Sequence, residues 1–417
     1  MSAFTKQLRH IADVRVSNVD KKSAAGERAV ALCNYTDVYY RDVITVDQEF
    51  MRATATTEQV RRFTLCGGDT LITKDSETAD DIGISAFVPS DLPDIVCGYH
   101  LALIRPKATV DGRFLSWALQ SDFVRGQWAV LATGVTRYGL NYGAIRGTDV
   151  PMPPLDVQRR IADFLDDQVT RIDRAVQLRR QQTELVRQRL VGRIEEETCH
   201  PGDPRVRLKS QVREVDERIG CEVDPGELLS VSIHLGVVPR SQVTDDLPRA
   251  ESLANYKVVK EGDIVLNRMR AFQGAVGVAH RSGIVSPDYA VLRAGSSCDS
   301  GYLHHLFRAP WFVGEMTSRL RGIGSVEQGN VRTPRVNVED LLMTMVPLPG
   351  LATQRRRRWD LDRESGQTER CIDNLEKAGS LLAERKRSLI TAAVTGEFDV
   401  FTASSRASGV VMDGVGG

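Results

Sequence analysis

The stretch VPMPPLDVQRR at Val150–Arg160 recurs as VPLPGLATQRR at Val346–Arg356, and seven of the eleven positions are identical. In each copy a proline-rich segment stands directly before a long polar run. Prolines interrupt helices and central strands and hold the preceding residue in an extended conformation, so a new helix can begin just after each copy. The copies start 196 residues apart in a chain of 417. This repeat predicts two similar globular units, each followed by a long helix.

The composition favours a soluble protein with ordinary cores. Hydrophobic residues make up 41% of the chain, and 55 basic residues balance 55 acidic ones, so the net charge gives no hint of a polyanionic partner. The seven cysteines are odd in number and form no CxxC pair, which favours free thiols in a reducing compartment. The N-terminal residues lack the apolar core of a signal peptide, and no apolar run could span a bilayer. We therefore expect a cytoplasmic protein that does not bind a membrane.

Residues 1–150 alternate short β-like runs with turn signals, which predicts an α+β unit. Ala29–Leu32, Thr70–Thr73 and Leu101–Ile104 are the strand candidates. Phe114–Val130 has apolar residues near helical spacing and is predicted to form one amphipathic helix.

Two long helices are predicted after the proline-rich copies, the first from about Asp156 to Glu197. Apolar residues recur there every three or four positions, which is typical of a coiled coil. The second helix has the same spacing with fewer apolar residues. Gly396 is predicted to be its C-cap. The residues predicted to pack the helices against each other are Ile161, Leu165, Ile172, Val176, Leu190, Leu361, Ile372, Leu375, Leu382 and Leu389.

The region between the helices echoes the first unit. Gly262-Asp263 matches Gly68-Asp69, and each pair begins a strand-like run. The loops after these runs differ, because Arg268–Gln273 in the second half stands where Lys74–Glu77 stands in the first. Such repeats indicate duplication of a scaffold that carries different surfaces. The predicted domains are therefore residues 1–150, a spacer helix at 151–200, residues 201–346, a second spacer helix at 347–400 and a disordered tail at 401–417.

No catalytic signature is found in the sequence. There is no P-loop, no HExxH and no GxSxG motif. Glu384-Arg385-Lys386 resembles part of a nuclease metal site, but no acidic partner motif lies nearby, so a solvated helix face is the better interpretation. His304-His305 is interpreted as surface and packing, and we predict no catalytic residue and no metal site.

Polar and arginine-bearing loops remain as the candidate functional residues. Arg, Lys, Asn and Gln side chains can bond base edges, and Ser and Tyr can bond phosphates. Two similar DNA-binding units joined by stiff helices are suited to a DNA sequence that consists of two separated half-sites. The predicted DNA-binding residues are Lys74, Ser76, Arg137, Tyr138 and Asn141 in the first unit and Arg240, Arg268, Arg270, Gln273, Arg321, Ser325, Gln328, Asn330 and Arg332 in the second.

At this point the chain resembles the specificity (S) subunits of type I restriction–modification systems. The resemblance rests on VPMPPLDVQRRIADFLDDQVTRID (150–173), its partial twin at 346–373 and the ending LLAERKRSLITAAVTGEFD (381–399). The stretches ALCNYTDVYY, LITKDSETADDIG and VCGYHLALIRP resemble one class of target recognition domain in that family. GDIVLNRMRAFQGAVG and GIVSPDYAVLR resemble another, and together these blocks cover residues 5–400.

The resemblance implies a division of labour among subunits. Each target recognition domain would read one half of a bipartite site in double-stranded DNA. The two helices would pack antiparallel, set the spacing and dock two modification (M) subunits. Restriction (R) subunits would complete the nuclease. S-adenosylmethionine, ATP and Mg would then bind the partner subunits, and this chain would hold no cofactor.

Two departures from the family pattern fall in the second helix, where Thr368-Glu369 replaces the pair matching Ile172-Asp173 and Trp359-Asp360 interrupts the apolar pattern. Two alternatives remain open for the function of the chain. It could be an assembly scaffold without sequence-specific DNA binding, or a fused nuclease or methyltransferase, which the missing motifs disfavour.

Overall fold

The computed structural model describes residues 4–220, 226–233, 236–244, 253–318, 320–321 and 335–400. The chain divides into two compact units. The first contains residues 1–179 and 377–417, and the second contains residues 180–376. Each unit therefore holds one globular region and part of both long helices. The tail predicted to be disordered, 401–417, lies outside the described residues.

The globular region of the first unit has twelve strands and six helices among its described residues. The strands are β1 (Thr5–Gln7), β2 (Ala12–Val16), β3 (Arg28–Cys33), β4 (Met51–Ala55), β5 (Thr64–Leu65), β6 (Thr70–Thr73), β7 (Asp75–Ser76), β8 (Ser85–Phe87), β9 (Leu92–Cys97), β10 (Leu101–Pro106), β11 (Tyr138–Gly139) and β12 (Asp149–Pro151). The helices are α1 (Leu8–Ile11), α2 (Tyr35–Tyr39), α3 (Thr57–Phe63), α4 (Gly112–Gln120), α5 (Asp122–Leu131) and α6 (Tyr142–Gly147). The three predicted strands are confirmed as parts of β3, β6 and β10.

Helix α7 (Leu155–Thr198) follows, and then the globular region of the second unit. Its described strands are β13 (Arg205–Arg207), β14 (Val212–Val215), β15 (Leu229–Ser232), β16 (Gly236–Pro239), β17 (Lys257–Val259), β18 (Ile264–Asn267), β19 (Val276–Val278), β20 (Gly283–Val285), β21 (Tyr289–Ala294), β22 (Leu320–Arg321), β23 (Arg335–Val336) and β24 (Met345–Pro347). Its helices are α8 (Ser300–Arg308), α9 (Pro310–Ser318) and α10 (Val338–Leu342), and helix α11 (Leu351–Thr395) ends the described fold.

The same four-stranded antiparallel sheet stands at the centre of both units. Its strand order is β2-β10-β6-β8 in the first unit and β14-β21-β18-β19 in the second. A short two-stranded sheet, β1-β12 or β13-β24, joins the start of each globular region to its end. The first unit adds a second four-stranded sheet, β4-β3-β9-β5, in which β3 and β9 are parallel. The predicted duplication is thus present in the strand order.

The central sheet is buried on both faces in each unit. Ile72 and Ile104 pack in the cluster that contains the helices of the first unit, while Leu71 and Leu103 pack in the cluster beneath its second sheet. In the second unit Ile264 and Val265 divide in the same way between two clusters. Neighbouring residues of a strand face opposite sides, so a strand covered on both sides needs a continuous apolar run. This explains the unbroken apolar runs at β10, β18 and β21.

A buried ion pair holds the same turn in both units. Asp69 is 1% exposed and accepts hydrogen bonds from Nε and Nη2 of Arg105 at 2.8 and 2.6 Å, and from the amide of Cys66 at 2.8 Å. Asp263 is 2% exposed and accepts the equivalent bonds from Arg293 at 2.7 and 2.6 Å, and from the amide of Lys260 at 2.9 Å. The glycine before each aspartate, Gly68 or Gly262, has a positive φ of 93° or 86°. The predicted match of these Gly-Asp pairs is confirmed.

The glutamine in each proline-rich copy explains why that stretch is repeated. Gln158 Oε1 accepts the amide of Asp111, the N-cap residue of α4, at 2.9 Å, and its Nε2 donates to the carbonyl of Pro153 at 2.8 Å. Gln354 makes the same pair of bonds, to the amide of Asp299 at 2.9 Å and to the carbonyl of Pro349 at 2.8 Å. Both glutamines are buried. Each therefore ties the start of a long helix to the first helix packed on its sheet.

The long helices pack against each other in antiparallel fashion within each unit. In the first unit the start of α7 shares a core with the end of α11, as Leu165 and Ile390 show. In the second unit Arg193 near the end of α7 pairs with Glu364 near the start of α11 at 3.4 Å. Of the ten predicted packing residues, Ile161, Leu165, Ile172 and Leu361 are buried, and Val176, Leu190, Ile372, Leu375, Leu382 and Leu389 are partly buried. The predicted α+β fold with two long packed helices is confirmed.

The prediction of one helix over Phe114–Val130 was wrong, because α4 and α5 are separate. Ser121 between them is extended, with ψ 148°, and its hydroxyl accepts the amide of Val124. A serine at this position caps a new helix better than it continues the old one. Phe123, one of the apolar residues in the predicted stretch, is exposed.

Lys386 does not lie on a solvated face, as had been predicted for Glu384-Arg385-Lys386. Its ammonium binds Asp173 of α7 at 2.9 Å and Asp42 of the globular region at 3.1 Å. Burial alone would lower the pKa of Lys386, but these two carboxylates outweigh it and raise the pKa. Lys386 is therefore a structural link within the first unit.

His304 and His305 are packing residues, as predicted, and His304 keeps part of its surface exposed. His305 is buried and its Nε2 lies 2.7 Å from Oδ1 of Asp362 on α11. Burial, reinforced by the charge of Arg308, lowers the pKa of His304 to about 3, so this ring is neutral. The first unit has an equivalent contact between its sheet-packing helix and α7. There Nε1 of Trp117 donates a hydrogen bond to Asp166, the counterpart of Asp362, at 2.7 Å.

Candidate nucleic-acid interface

The two units carry different loops at the same point of the shared sheet. In the first unit β6 leads from the Asp69 turn into the loop that begins at Lys74. In the second, β18 leads from the Asp263 turn into the loop Arg268–Gln273. The predicted positions of these loops, each directly after a strand, are confirmed. A shared scaffold with unlike loops at one edge can present two different binding surfaces.

The second-unit loop is a tight turn with two exposed side chains suited to base or phosphate contacts. The backbone of Arg268 accepts a hydrogen bond from the amide of Val336 at 2.9 Å, and its Nε donates to the carbonyl of Val336 at 3.3 Å. The carbonyl of Arg270 accepts the amides of Gln273 and Ala275 at 2.9 and 3.2 Å. The side chains of Arg270 and Gln273 are exposed. Within the described part of the chain neither has a partner, so both keep their hydrogen-bonding capacity.

The predicted residues of the first unit divide into exposed and structural ones. Lys74 lies over the ring of Tyr99, 4.8 Å from its centroid, and Arg137 is exposed. Ser76 is only 4% exposed and pairs with Tyr138 across the short sheet β7-β11.

Tyr138 and Asn141 also have structural roles. The ring of Tyr138 packs against the core. Asn141 caps α6, because its side-chain oxygen accepts the amide of Ala144 at 2.8 Å. Lys74 is partly buried and its ammonium lies 3.6 Å from the carboxylate of Asp75, so Arg137 is the best placed of the five for ligand contact, whereas burial disfavours Ser76.

An aromatic cluster beside the short sheet β7-β11 was not among the predicted residues. The rings of Tyr35 and Tyr39 stack at 5.3 Å, and Tyr40 meets Tyr39 edge-on at 5.0 Å. Tyr40 is 77% exposed. A hydrogen bond from Tyr39 to Asp81, at 2.6 Å, together with the charge of that carboxylate, raises the pKa of Tyr39 to about 12. The tyrosines in ALCNYTDVYY were the sequence signal for this cluster.

Tyr35 connects the aromatic cluster to the predicted loops. Burial raises its pKa, the charge of Asp81 adds to this, and the hydroxyl of Ser76 and the charge of Arg137 oppose it. Nearby, Nδ1 of His100 lies 2.8 Å from Oδ2 of Asp75. The first unit therefore gathers cationic, acidic and aromatic groups on one surface. Such a surface can stack on a base or sugar, donate to phosphate and accept from a base amine.

Of the remaining predicted residues in the second unit, two have backbone contacts within the fold and four lie outside the described residues. Arg240 begins a short 3₁₀ turn, is partly buried and donates its amide to the carbonyl of Leu228 at 2.8 Å. Arg321 lies in β22 and pairs with Arg335 of β23. Ser325, Gln328, Asn330 and Arg332 lie outside the described residues.

The described residues contain neither a candidate metal cluster nor a membrane-spanning helix. No group of three or more His, Cys, Asp or Glu residues there could hold a metal ion. No described helix is both long and apolar enough to cross a membrane.

Solved structures provide the comparison for this fold. No protein-family model matches the chain, and no curated protein matches its sequence. A chain from a structure concerned with complex assembly and conformational transition of the type I R-M system aligns with a TM-score of 0.71 and 17% identity, covering 95% of this chain and 98% of its own. The HsdS subunit from Thermoanaerobacter tengcongensis aligns with a TM-score of 0.55 and 18% identity, covering 95% and 97%. The chain has the fold of type I restriction–modification specificity subunits over nearly its whole length.

Proposed function

We propose that the chain is the DNA sequence-recognition subunit of a type I restriction–modification complex. The observation that carries this proposal is the duplicated sheet with unlike segments after the same strand, Lys74 and the short strand β7 in one unit and the loop Arg268–Gln273 in the other. Each globular region would read one half of a bipartite DNA site. The different loop chemistry would give each half its own sequence.

The exposed guanidinium and amide of Arg270 and Gln273 are suited to reading the second half-site. Arg bonds the two acceptors of guanine, and Gln bonds the donor and acceptor of adenine. In the first unit, Lys74 and Arg137 would contact the DNA together with the exposed rings of Tyr40 and Tyr99. The chain has 55 basic and 55 acidic residues, so we propose that partner subunits share the phosphate contacts.

The long helices would serve as spacer and as docking surface. Helix α7 has 44 residues, which corresponds to about 66 Å at roughly 1.5 Å per residue. Readers of adjacent major grooves on one face of DNA lie about 34 Å apart, so a helix of this length can separate two small recognition regions. Two modification subunits would dock on the helices, and restriction subunits would complete the nuclease.

Methyl transfer and cleavage would then belong to the partners, together with S-adenosylmethionine, ATP and Mg. The chain itself would be non-catalytic and would act in the cytoplasm, where its partners and DNA are found. An assembly scaffold without DNA reading is the second candidate. The observation that favours it is that Ser76, Tyr138 and Asn141 are engaged in their own fold.

Co-expression with the modification subunit of its system tests the proposal. Methylation should appear at adenines in one bipartite sequence, as mapped by methylome sequencing, and neither protein alone should produce it. Replacing Arg268, Arg270 and Gln273 together by Ala should abolish or relax one half-site only. A complex that assembles and methylates without sequence preference would identify a scaffold, and methylation by the isolated chain would identify an enzyme.

A further inference from the structure

The loop between α5 and β11 carries the most exposed large apolar side chain among the described residues. Val135 keeps 94% of its surface exposed. Its neighbours Gly134, Thr136 and Arg137 are exposed as well. Because Val135 buries almost no apolar surface within the chain, it adds almost nothing to the stability of the fold. Its two methyl groups are therefore free to contact a ligand.

We define the Val135 loop as residues 133–139, which form a closed turn. The amide of Thr133 donates to the carbonyl of Gly139 at 3.1 Å, and the amide of Gly139 donates to the carbonyl of Thr133 at 2.9 Å. Gly134 permits this closure, because its φ is +150° and a Cβ there would collide with the carbonyl oxygen of Arg137. A valine side chain also has few rotamers to lose on binding. The loop thus presents its apolar group at a small entropic cost.

The base of the Val135 loop is fixed to the candidate nucleic-acid surface of the first unit. Tyr138 and Gly139 form β11, which pairs with β7. The next residue, Leu140, is 5% exposed, and its amide donates to the carbonyl of Lys74 at 2.8 Å. The loop therefore lies beside the segment that follows β6, where the two units differ.

The sequence around the Val135 loop is locally positive. Residues 123–148 contain three arginines and no acidic residue, in a chain whose 55 basic and 55 acidic residues balance. The three are Arg125, Arg137 and Arg146. A stretch of this charge attracts phosphates, so DNA is a better match for the loop than an acceptor of anionic groups.

The shape and chemistry of the loop fit the major groove of DNA. Paired strands lie about 4.8 Å apart, and the major groove, about 12 Å wide, admits a two-stranded ribbon. Thymine is the base that presents a methyl group there, and an apolar side chain can recognise that methyl by contact. Side chains that separate stacked bases are typically Phe, Leu, Ile, Met or Pro. A short branched valine is better suited to contact a methyl group than to enter the base stack.

We propose that Val135 recognises the C5-methyl group of one thymine in the half-site that the first unit reads. This inference rests on the proposed function and assigns part of the base specificity to an apolar residue. Arg137, two positions further along the same loop, contacts the DNA beside that thymine. The thymine lies in the half-site that exchange of residues 201–346 leaves unchanged.

Deoxyuridine tests this inference, because it pairs as thymidine does but lacks the methyl group. The full chain in complex with its modification subunit is titrated at one salt concentration with fluorescent duplexes that contain the site defined by methylome sequencing. In each duplex one thymine is replaced by deoxyuridine. One replacement in the first half-site should weaken binding about fourfold, which corresponds to about 0.8 kcal/mol for one buried methyl group. The complex with Val135→Ala should bind the natural duplex more weakly and should not distinguish thymine from deoxyuridine at that position.

Val130→Ala is the matched control, because Val130 is a second valine of the same unit and is 85% exposed on α5. Both variants should fold, as circular dichroism would show, since neither removes a buried side chain. Val130→Ala should keep the fourfold difference between thymine and deoxyuridine. Val135→Ile should keep it as well, because isoleucine retains a branched apolar side chain.

Four results would overturn the inference. Equal binding of thymine and deoxyuridine at every position by the natural complex would refute methyl recognition and leave the proposed function intact. A fourfold difference that persists in Val135→Ala would assign the methyl contact to another residue. Weaker binding of the modification subunit with unchanged DNA affinity would make the loop a protein contact. Absence of sequence-specific binding by the natural complex would refute both this inference and the proposed function.

Discussion

Replacing the buried aspartates Asp69 and Asp263 one at a time tests whether the two units are separate copies of one scaffold. Asp69→Ala leaves the guanidinium of Arg105 and the amide of Cys66 without their acceptor. Breaking a buried ion pair costs about 3–5 kcal/mol. The side chain of Arg105 keeps 27% of its surface exposed and can regain water, so we expect the lower end, about 3 kcal/mol. Asp263→Ala should cost as much, because Arg293 is similarly exposed at 24%.

Each replacement should affect its own unit alone. In a unit of this size about 3 kcal/mol lowers the melting temperature by about 6–12 °C. Calorimetry measures this shift, and hydrogen exchange locates it. Asp69→Ala should speed amide exchange in β6 and β10, and Asp263→Ala should do so in β18 and β21. Because these strands support the recognition loops, each variant should also impair one half-site.

The control is Asp94→Ala in the first unit. Asp94 pairs with Arg28 on the surface, where both side chains are more than half exposed, so its loss should have little or no effect. A loss below about 1 kcal/mol for either buried aspartate would contradict the ion-pair reasoning. Faster exchange in both units after one replacement would contradict their independence.

Three further outcomes are expected. Arg270→Ala should lose about 1–3 kcal/mol of base discrimination at the second half-site and leave the first unaffected in a methylome; an unchanged pattern would remove Arg270 from the site. Exchanging residues 201–346 for the same region of another specificity subunit should change one half-site, and a change in both would refute one domain per half-site. Inserting seven residues after Gln177 and seven after Glu376 preserves the helix packing phase and adds about 10 Å, so the gap between half-sites should lengthen by about three base pairs. Altered half-sites with an unchanged gap would refute the spacer role.

Much of the fold could be predicted from the sequence because its signals are local. The proline-rich copies mark the starts of α7 and α11, and apolar residues three or four positions apart mark their buried faces. Gly396 ends α11 in the predicted left-handed conformation, with φ 77°. The matched Gly-Asp pairs identified the turns that precede β6 and β18. Backbone sterics and short-range periodicity suffice for each of these features.

The candidate site was harder to predict because the role of a polar residue depends on distant contacts. Ser76 and Asn141 have side chains suited to DNA, yet burial and a helix cap engage them within the fold. Tyr39 and Asp81 are 42 residues apart in sequence and hydrogen-bonded in space. Ser121 looked compatible with a continuing helix, but its hydroxyl caps the next one instead.

The sequence by itself determined the duplication, the order of the main elements and the two long helices, since repeats and periodicity follow from neighbouring residues. Only the tertiary structure decided which polar residues are exposed, which aromatic rings join the first surface and which face of α11 remains uncovered. Arg357 and Trp359 illustrate the difference, because both lie in one arginine-rich run. Arg357 is buried against Asp203 while Trp359 is exposed. Burial depends on what the rest of the chain brings against each face, and a local pattern does not contain that information.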